Sequence, residues 1–178
     1  MNRQRMFAVL LVISLFSYCK LIYAEANDET TVYVSGDILD TPCTIAPDSR
    51  MQVISMGRIR PAEIEHTGAG EAIPFTIRLI DCRLQRIDPH QPNWQRFAVS
   101  FDGQTDGDDF ALAGTAQGMA LQLADENGNI AHPGVPLPQA VLHNGEQVLH
   151  YTLRLVSNHQ PLREGSYSSA IHFRLNYF

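Results

Sequence analysis

Three cysteines occur in this 178-residue chain, and Cys43 and Cys82 are the two whose type and setting point most directly to covalent chemistry. Cys19 lies in an apolar leader and leaves with it. An even pair in an exported domain most simply means one disulfide. Closing a loop of about 40 residues would stabilise the fold by roughly 4 kcal/mol in the chain-entropy account. A metal pair is the rival use of two thiols and needs more ligands. His66, His90, His132, His143, His150, His159 and His172 supply none, because no two stand at a short ligand spacing with each other, a Cys or a paired carboxylate.

The remaining chemistry-bearing clusters also fall short of a site. Asp102, Asp106, Asp108 and Asp109 suggest a calcium loop, but the twelfth position counted from Asp102 is Ala113, where a bidentate Glu is needed. A solvated hairpin loop is the expected alternative. Gly68-Ala69-Gly70 and the glycines Gly114 and Gly118 lack the Lys-Ser/Thr of a phosphate cradle. Ser166, Ser168 and Ser169 follow Gly165 without the G-x-S-x-G frame of an exposed nucleophile. Trp94, the single tryptophan, is expected to cover core at the start of a strand. No catalytic residue, metal or cofactor is expected.

The elements around these residues are those of an exported all-β domain. Arg3 and Arg5 precede an apolar run at 7–18 that is short for a membrane span, and Ala24 and Ala26 offer small-residue cleavage points. Residues 1–24 therefore read as a signal peptide. Its removal takes Arg3, Arg5 and Lys20, leaving ten basic against nineteen acidic residues, a net charge of −9 with no lysine. That balance disfavours nucleic acid and anionic membrane surfaces as partners.

Apolar alternation with period two recurs at Val32-Val34-Gly36-Ile38, Ile73-Phe75-Ile77-Leu79, Phe97-Val99-Phe101, Met119-Leu121-Leu123 and Leu149-Tyr151-Leu153-Leu155. Turn residues separate the runs: Asp102-Gly103, Asn127-Gly128, Pro133-Gly134, Asn144-Gly145. No helical stripe of ten residues is visible. Short strands and one disulfide predict a β-sandwich of immunoglobulin-like topology, without the usual Trp between the two cysteines.

The last twelve residues read as one long half-buried strand. Ile171, Phe173, Leu175 and Tyr177 take one face; His172, Arg174 and Asn176 take the other. With no later strand to cover it, its edge needs a partner from elsewhere, although pairing with 148–155 is an internal alternative.

Three stretches together resemble the chaperone–usher fimbrial subunits of type 1 and P pili. They are Gly36-Asp37-Ile38-Leu39-Asp40-Thr41-Pro42-Cys43, the body from Leu79-Ile80-Asp81-Cys82 through Phe101-Asp102-Gly103 to 121–130, and an ending with Gly165 fourteenth from the end and Tyr177 penultimate. Gly128-Asn129-Ile130-Ala131, Tyr151-Thr152-Leu153-Arg154 and Phe173-Arg174 look most like the minor subunit that terminates P-type pili. Terminators carry a longer region before the first strand than the dozen or so residues before Gly36 here.

The resemblance implies an incomplete immunoglobulin-like sandwich lacking its last strand, at 41–178, preceded by a donor-strand arm at 25–40. Thr30, Val32, Val34, Gly36 and Ile38 would enter a neighbour's groove; on alternation alone the arm is equally an ordinary first strand. Gly165, Ile171, Phe173, Leu175, Tyr177 and Phe178 would form the strand that a periplasmic chaperone binds. Further implied partners are an outer-membrane usher and neighbouring subunits, with the fibre at the bacterial surface. The expected function is a non-enzymatic pilus subunit that terminates or anchors the fibre. An adaptor or shaft pilin is the alternative, and a carbohydrate-binding tip adhesin a further one.

Overall fold

The computed structural model describes residues 40–178. The expected arm residues Thr30, Val32, Val34, Gly36 and Ile38, and the expected leader, lie outside the described residues. Twelve strands follow in chain order: β1 (Thr44–Ile45), β2 (Ile73–Cys82), β3 (Arg96–Gly103), β4 (Thr105–Asp106), β5 (Asp109–Phe110), β6 (Ala113–Gly114), β7 (Met119–Asp125), β8 (Ile130–Ala131), β9 (Ala140–Val141), β10 (Gly145–Ser157), β11 (Tyr167–Ser168) and β12 (Ile171–Tyr177). Two short helices, Pro47–Arg50 and Pro61–Thr67, each begin on a proline, which fits a first helical position because its missing N–H has no partner there.

The larger sheet runs β1-β2-β10-β7-β5-β4, with β8 on β7; a second sheet runs β12-β3-β9, and β11 pairs with β6. Every pairing is antiparallel. The inward faces meet in one core that includes Ile77, Leu79, Phe97, Phe101, Phe110, Leu123 and Leu155. Cys43 and Cys82 are disulfide-bonded, tying the chain before β1 to the end of β2.

The predicted fold class therefore holds: an all-β sandwich with one disulfide. Two expectations need correction. The terminal run is not one strand, because Ser169 and Ala170 break it into β11 and β12, each with a different partner. Nor does it pair with 148–155. β10 is already bonded to β2 on one side and β7 on the other, so its backbone has no free edge, and β12 pairs with β3 instead. The acidic run is a hairpin, with Thr105 and Asp106 facing Phe110 and Asp109.

Trp94 covers core as expected. Its ring is buried against Tyr177, edge to face at 6.1 Å, and the Arg86 guanidinium lies 3.3 Å above it. One face of the indole is thus covered by the protein's own guanidinium. Among the described residues, the indole Nε1 has no hydrogen-bond partner.

Candidate functional site

The site begins where the chain leaves the edge of β2. Ala46 N–H donates to Arg78 O, but Pro47 cannot continue a ladder, and the chain turns into the short helix Pro47–Arg50. From there it is tethered to β2 by side chains: Ser49 Oγ accepts from Arg78 N at 3.0 Å, and Gln52 Nε2 donates to Thr76 O at 2.8 Å. Residues 52–59 make no backbone–backbone hydrogen bond among the described residues. Ile54, Met56 and Ile59 still pack against the core, while Met51 and Val53 are 88% and 98% exposed.

Opposite this strip stands the free edge of β12. Phe178 N donates to Arg96 O at 2.8 Å and Arg96 N returns the bond at 3.1 Å, so these two form a hydrogen-bonded pair. Such pairs alternate along an antiparallel ladder. With the register Ile171↔Gly103 to Tyr177↔Phe97, the backbone groups of His172, Arg174 and Asn176 face β3. Those of Ile171, Phe173, Leu175 and Tyr177 face outward, and none of them has a backbone partner among the described residues. The same four side chains point into the sandwich, yet each is only half-buried.

Between strip and edge lies an open groove of about 980 Å³. Its walls are 49–57 on one side and 165–173 on the other. Its floor is core: Phe75, Ile77, Phe101, Leu121, Leu123 and Leu153. The apolar floor and two unpaired backbones are what a missing strand leaves behind.

Of the residues expected at the chaperone-binding strand, Gly165, Ile171 and Phe173 line the groove. Leu175 and Tyr177 lie further along β12, where Tyr177 packs on Trp94 and Phe97. Burial pushes the Tyr177 phenol up to about 12. A Phe178 carboxyl oxygen accepts from Gln95 N and Arg96 N at 2.8 and 3.1 Å, and the ring is about half exposed.

Gly165 does not belong to β12. It sits before β11, where a Cβ would collide with Thr115 and the backbone of Ala116, so its glycine serves close approach between the 113–118 and 163–168 segments. Sequence reasoning missed the strip at 51–57. Met51, Val53, Ile54 and Met56 do not alternate cleanly, and the only signal was an apolar stretch without a turn.

No family model matches the chain. It is 34% identical over 144 residues to the PRS fimbrial minor pilin protein and to the PAP fimbrial minor pilin protein, both of Escherichia coli, covering 80% of this chain and 74% of each relative. Among solved structures, the P pilus rod subunit PapA superposes with a TM-score of 0.67 at 21% identity, over 78% of this chain and all of that one. A chaperone–usher pilus structure gives 0.66 at 22% identity, over 85% and 97%.

The fold and groove define a pilin-type sandwich, incomplete by one strand. By its relatives, this chain belongs to the fimbrial subunits of chaperone–usher pili. It is a structural, non-enzymatic subunit of fimbriae that are assembled through the periplasm at the cell surface.

Proposed function

We propose that this subunit is assembled by strand addition. A periplasmic chaperone first lends a strand to the groove, an N-terminal strand from a neighbouring subunit replaces it, and an outer-membrane usher directs the exchange. The observation that carries this is the pairing of two unpaired backbones, 51–57 and β12, across an apolar floor. Strand addition satisfies main-chain groups for affinity and reads alternate side chains for specificity.

The arm at 25–40 is the reciprocal donor. Thr30, Val32, Val34 and Ile38 share one face with Gly36, whose lack of a side chain permits close backbone approach. Burying four such side chains contributes roughly 6 to 12 kcal/mol before the cost of ordering the arm. In this reading Ile171, Phe173, Leu175 and Tyr177 present the acceptor edge, and Phe178 carries the carboxylate that the chaperone grips.

Within the fibre we assign the chain a terminating or anchoring position, on the strength of its 34% identity to two minor pilins. An adaptor or shaft position is the second reading, favoured by 26% identity over 163 residues to a probable major fimbrial subunit of Escherichia coli. One experiment tests both levels. The chain is exported with and without its chaperone, and donor peptides are offered to the complex. Soluble recovery of a stable monomer without chaperone would overturn strand addition. Refusal of every donor peptide by an intact complex supports a terminator, and ready exchange supports an adaptor or shaft subunit.

A further inference from the structure

A second cavity, of about 170 Å³, opens between the turn at 125–129 and the segment at 137–140. It shares no lining residue with the groove. A cavity of about 150 Å³ is enough to hold a molecule the size of benzene. The walls are apolar, formed by Phe97 and Val99 of β3, by Leu137 and by Leu149 of β10, whereas the mouth carries the carboxylates of Asp125 and Glu126. His150 is the only basic residue that lines it.

Tyr151 supplies the polar point inside. The residue is 5% exposed, and its ring is held by Phe75 at 5.4 Å and Phe101 at 5.0 Å. Its hydroxyl makes no hydrogen bond among the described residues. Only Trp94 Nε1 is both unpaired and sealed from solvent among them, so the Tyr151 oxygen, equally unpaired, opens on the cavity.

The two carboxylates have different duties. Asp125 pairs with Tyr151 across β7 and β10, and antiparallel partners share a face, so it too stands on the inward side. Its Oδ1 accepts from Asn127 N and Asn129 N at 2.9 and 2.8 Å, and its Oδ2 accepts from Asn129 Nδ2 at 2.8 Å. Those bonds fix its charge in place. Glu126 is exposed and has no hydrogen bond or ion pair among the described residues. Burial first, and then the charges of Asp125 and Glu126, raise the Tyr151 pKa, so the phenol stays neutral in a negative field.

We propose that this cavity binds a cationic group on an apolar stem, a guanidinium or ammonium that donates to the Tyr151 oxygen and the Glu126 carboxylate while its stem lies on Phe97, Val99, Leu137 and Leu149. An anion would meet two carboxylates, and a wholly apolar ligand would leave the phenol oxygen unpaired. Such a cation comes from either of two sources, a small free molecule or an arginine or lysine side chain of a neighbouring subunit. Strand addition is not needed for it.

The test uses the exported full chain in its soluble form, alone or with its chaperone, and three probes: n-butylguanidinium, its neutral counterpart n-butylurea, and the blocked tripeptide acetyl-Gly-Arg-Gly-amide. Binding is followed by the NMR shifts of the Tyr151 and Leu137 side chains. Butylguanidinium should bind about tenfold more tightly than butylurea, with the advantage shrinking as salt is raised. Glu126→Gln and Tyr151→Phe should each weaken it about fivefold, the equivalent of one hydrogen bond. Neither variant removes a contact that the fold uses.

The tripeptide separates the sources: if it binds as tightly as butylguanidinium, the site takes a protein side chain, and if only the free cation binds, it takes a small molecule. Absence of butylguanidinium binding, equal affinity for butylurea, shifts confined to residues outside the cavity, or affinities unmoved by both variants would overturn the site. None of these outcomes bears on strand addition, which is tested at the groove.

Discussion

β10 and β12 carry nearly the same message in sequence and meet opposite fates. Each alternates large apolar residues with polar ones, Leu149-Tyr151-Leu153-Leu155 in one and Ile171-Phe173-Leu175-Tyr177 in the other. β10 is bonded on both sides, and its Tyr151, Leu153 and Leu155 are buried to 5%, 7% and 0% exposure. β12 is bonded on one side, and all four of its inward residues remain only half-buried, Ile171 and Phe173 over the groove. Alternation fixes which side chains turn inward; only the neighbours decide whether inward means buried. In the proposed reading, the unburied half of β12 is the part of the core that another chain would supply.

The largest test of that contrast is truncation. Leu155→Ala removes a side chain with no exposed surface and should cost about 3 kcal/mol by denaturant unfolding, whereas Leu175→Ala should cost about 1. Filling the groove with a donor peptide should bring the second cost up toward the first and leave the first unchanged. Equal costs in the unfilled chain would show that β12 is already sealed.

A finer test reads the backbone. Both sides of β10 are paired over Tyr151, Thr152 and Leu153, so their amides should all exchange slowly. Along β12, protection should alternate: His172, Arg174 and Asn176 donate to β3, while the amides of Phe173 and Leu175 point away from it at the open edge. The outward set should exchange roughly a hundredfold faster than the inward set. Added strand should abolish the alternation. Uniform protection in the free chain would mean that the edge is covered.

Much of this was legible in the sequence, and for a physical reason. The period-two pattern that defines β2, β3, β7, β10 and β12 is imposed by the core, so it marks the strands and the inward faces directly. The disulfide was legible because an even cysteine pair in an exported domain has few other uses. The break at Ser169 and Ala170 was not, since both residues are compatible with a continuing strand and only the pairing of Tyr167 with Gly114 diverts the chain. Hidden for the same reason was the 51–57 wall. A segment held by Gln52 and Ser49 side chains, rather than by a ladder, needs no periodicity of its own.

The smallest effect lies at alkaline pH, where each strand offers one tyrosine as a probe. Burial favours the neutral phenol, so folding raises the Tyr177 pKa from the usual 10 to about 12. Tyr151 is raised further, by deeper burial first and then by the charges of Asp125 and Glu126. A group that holds its proton more tightly when folded contributes its full share of stability below pH 10 and loses it as pH climbs through 10 toward the folded value. Unfolding free energy should therefore fall with pH over that window, with less fall in Tyr151→Phe than in Tyr177→Phe, because the deeper phenol is the larger contributor. Phenolate absorbance in the folded chain should show Tyr177 ionising first, and a strand added beside β12 should delay it toward Tyr151. Simultaneous ionisation of the two would mean that their surroundings do not differ, and the distinction between a closed and an open side of this sandwich would fail at its most sensitive point.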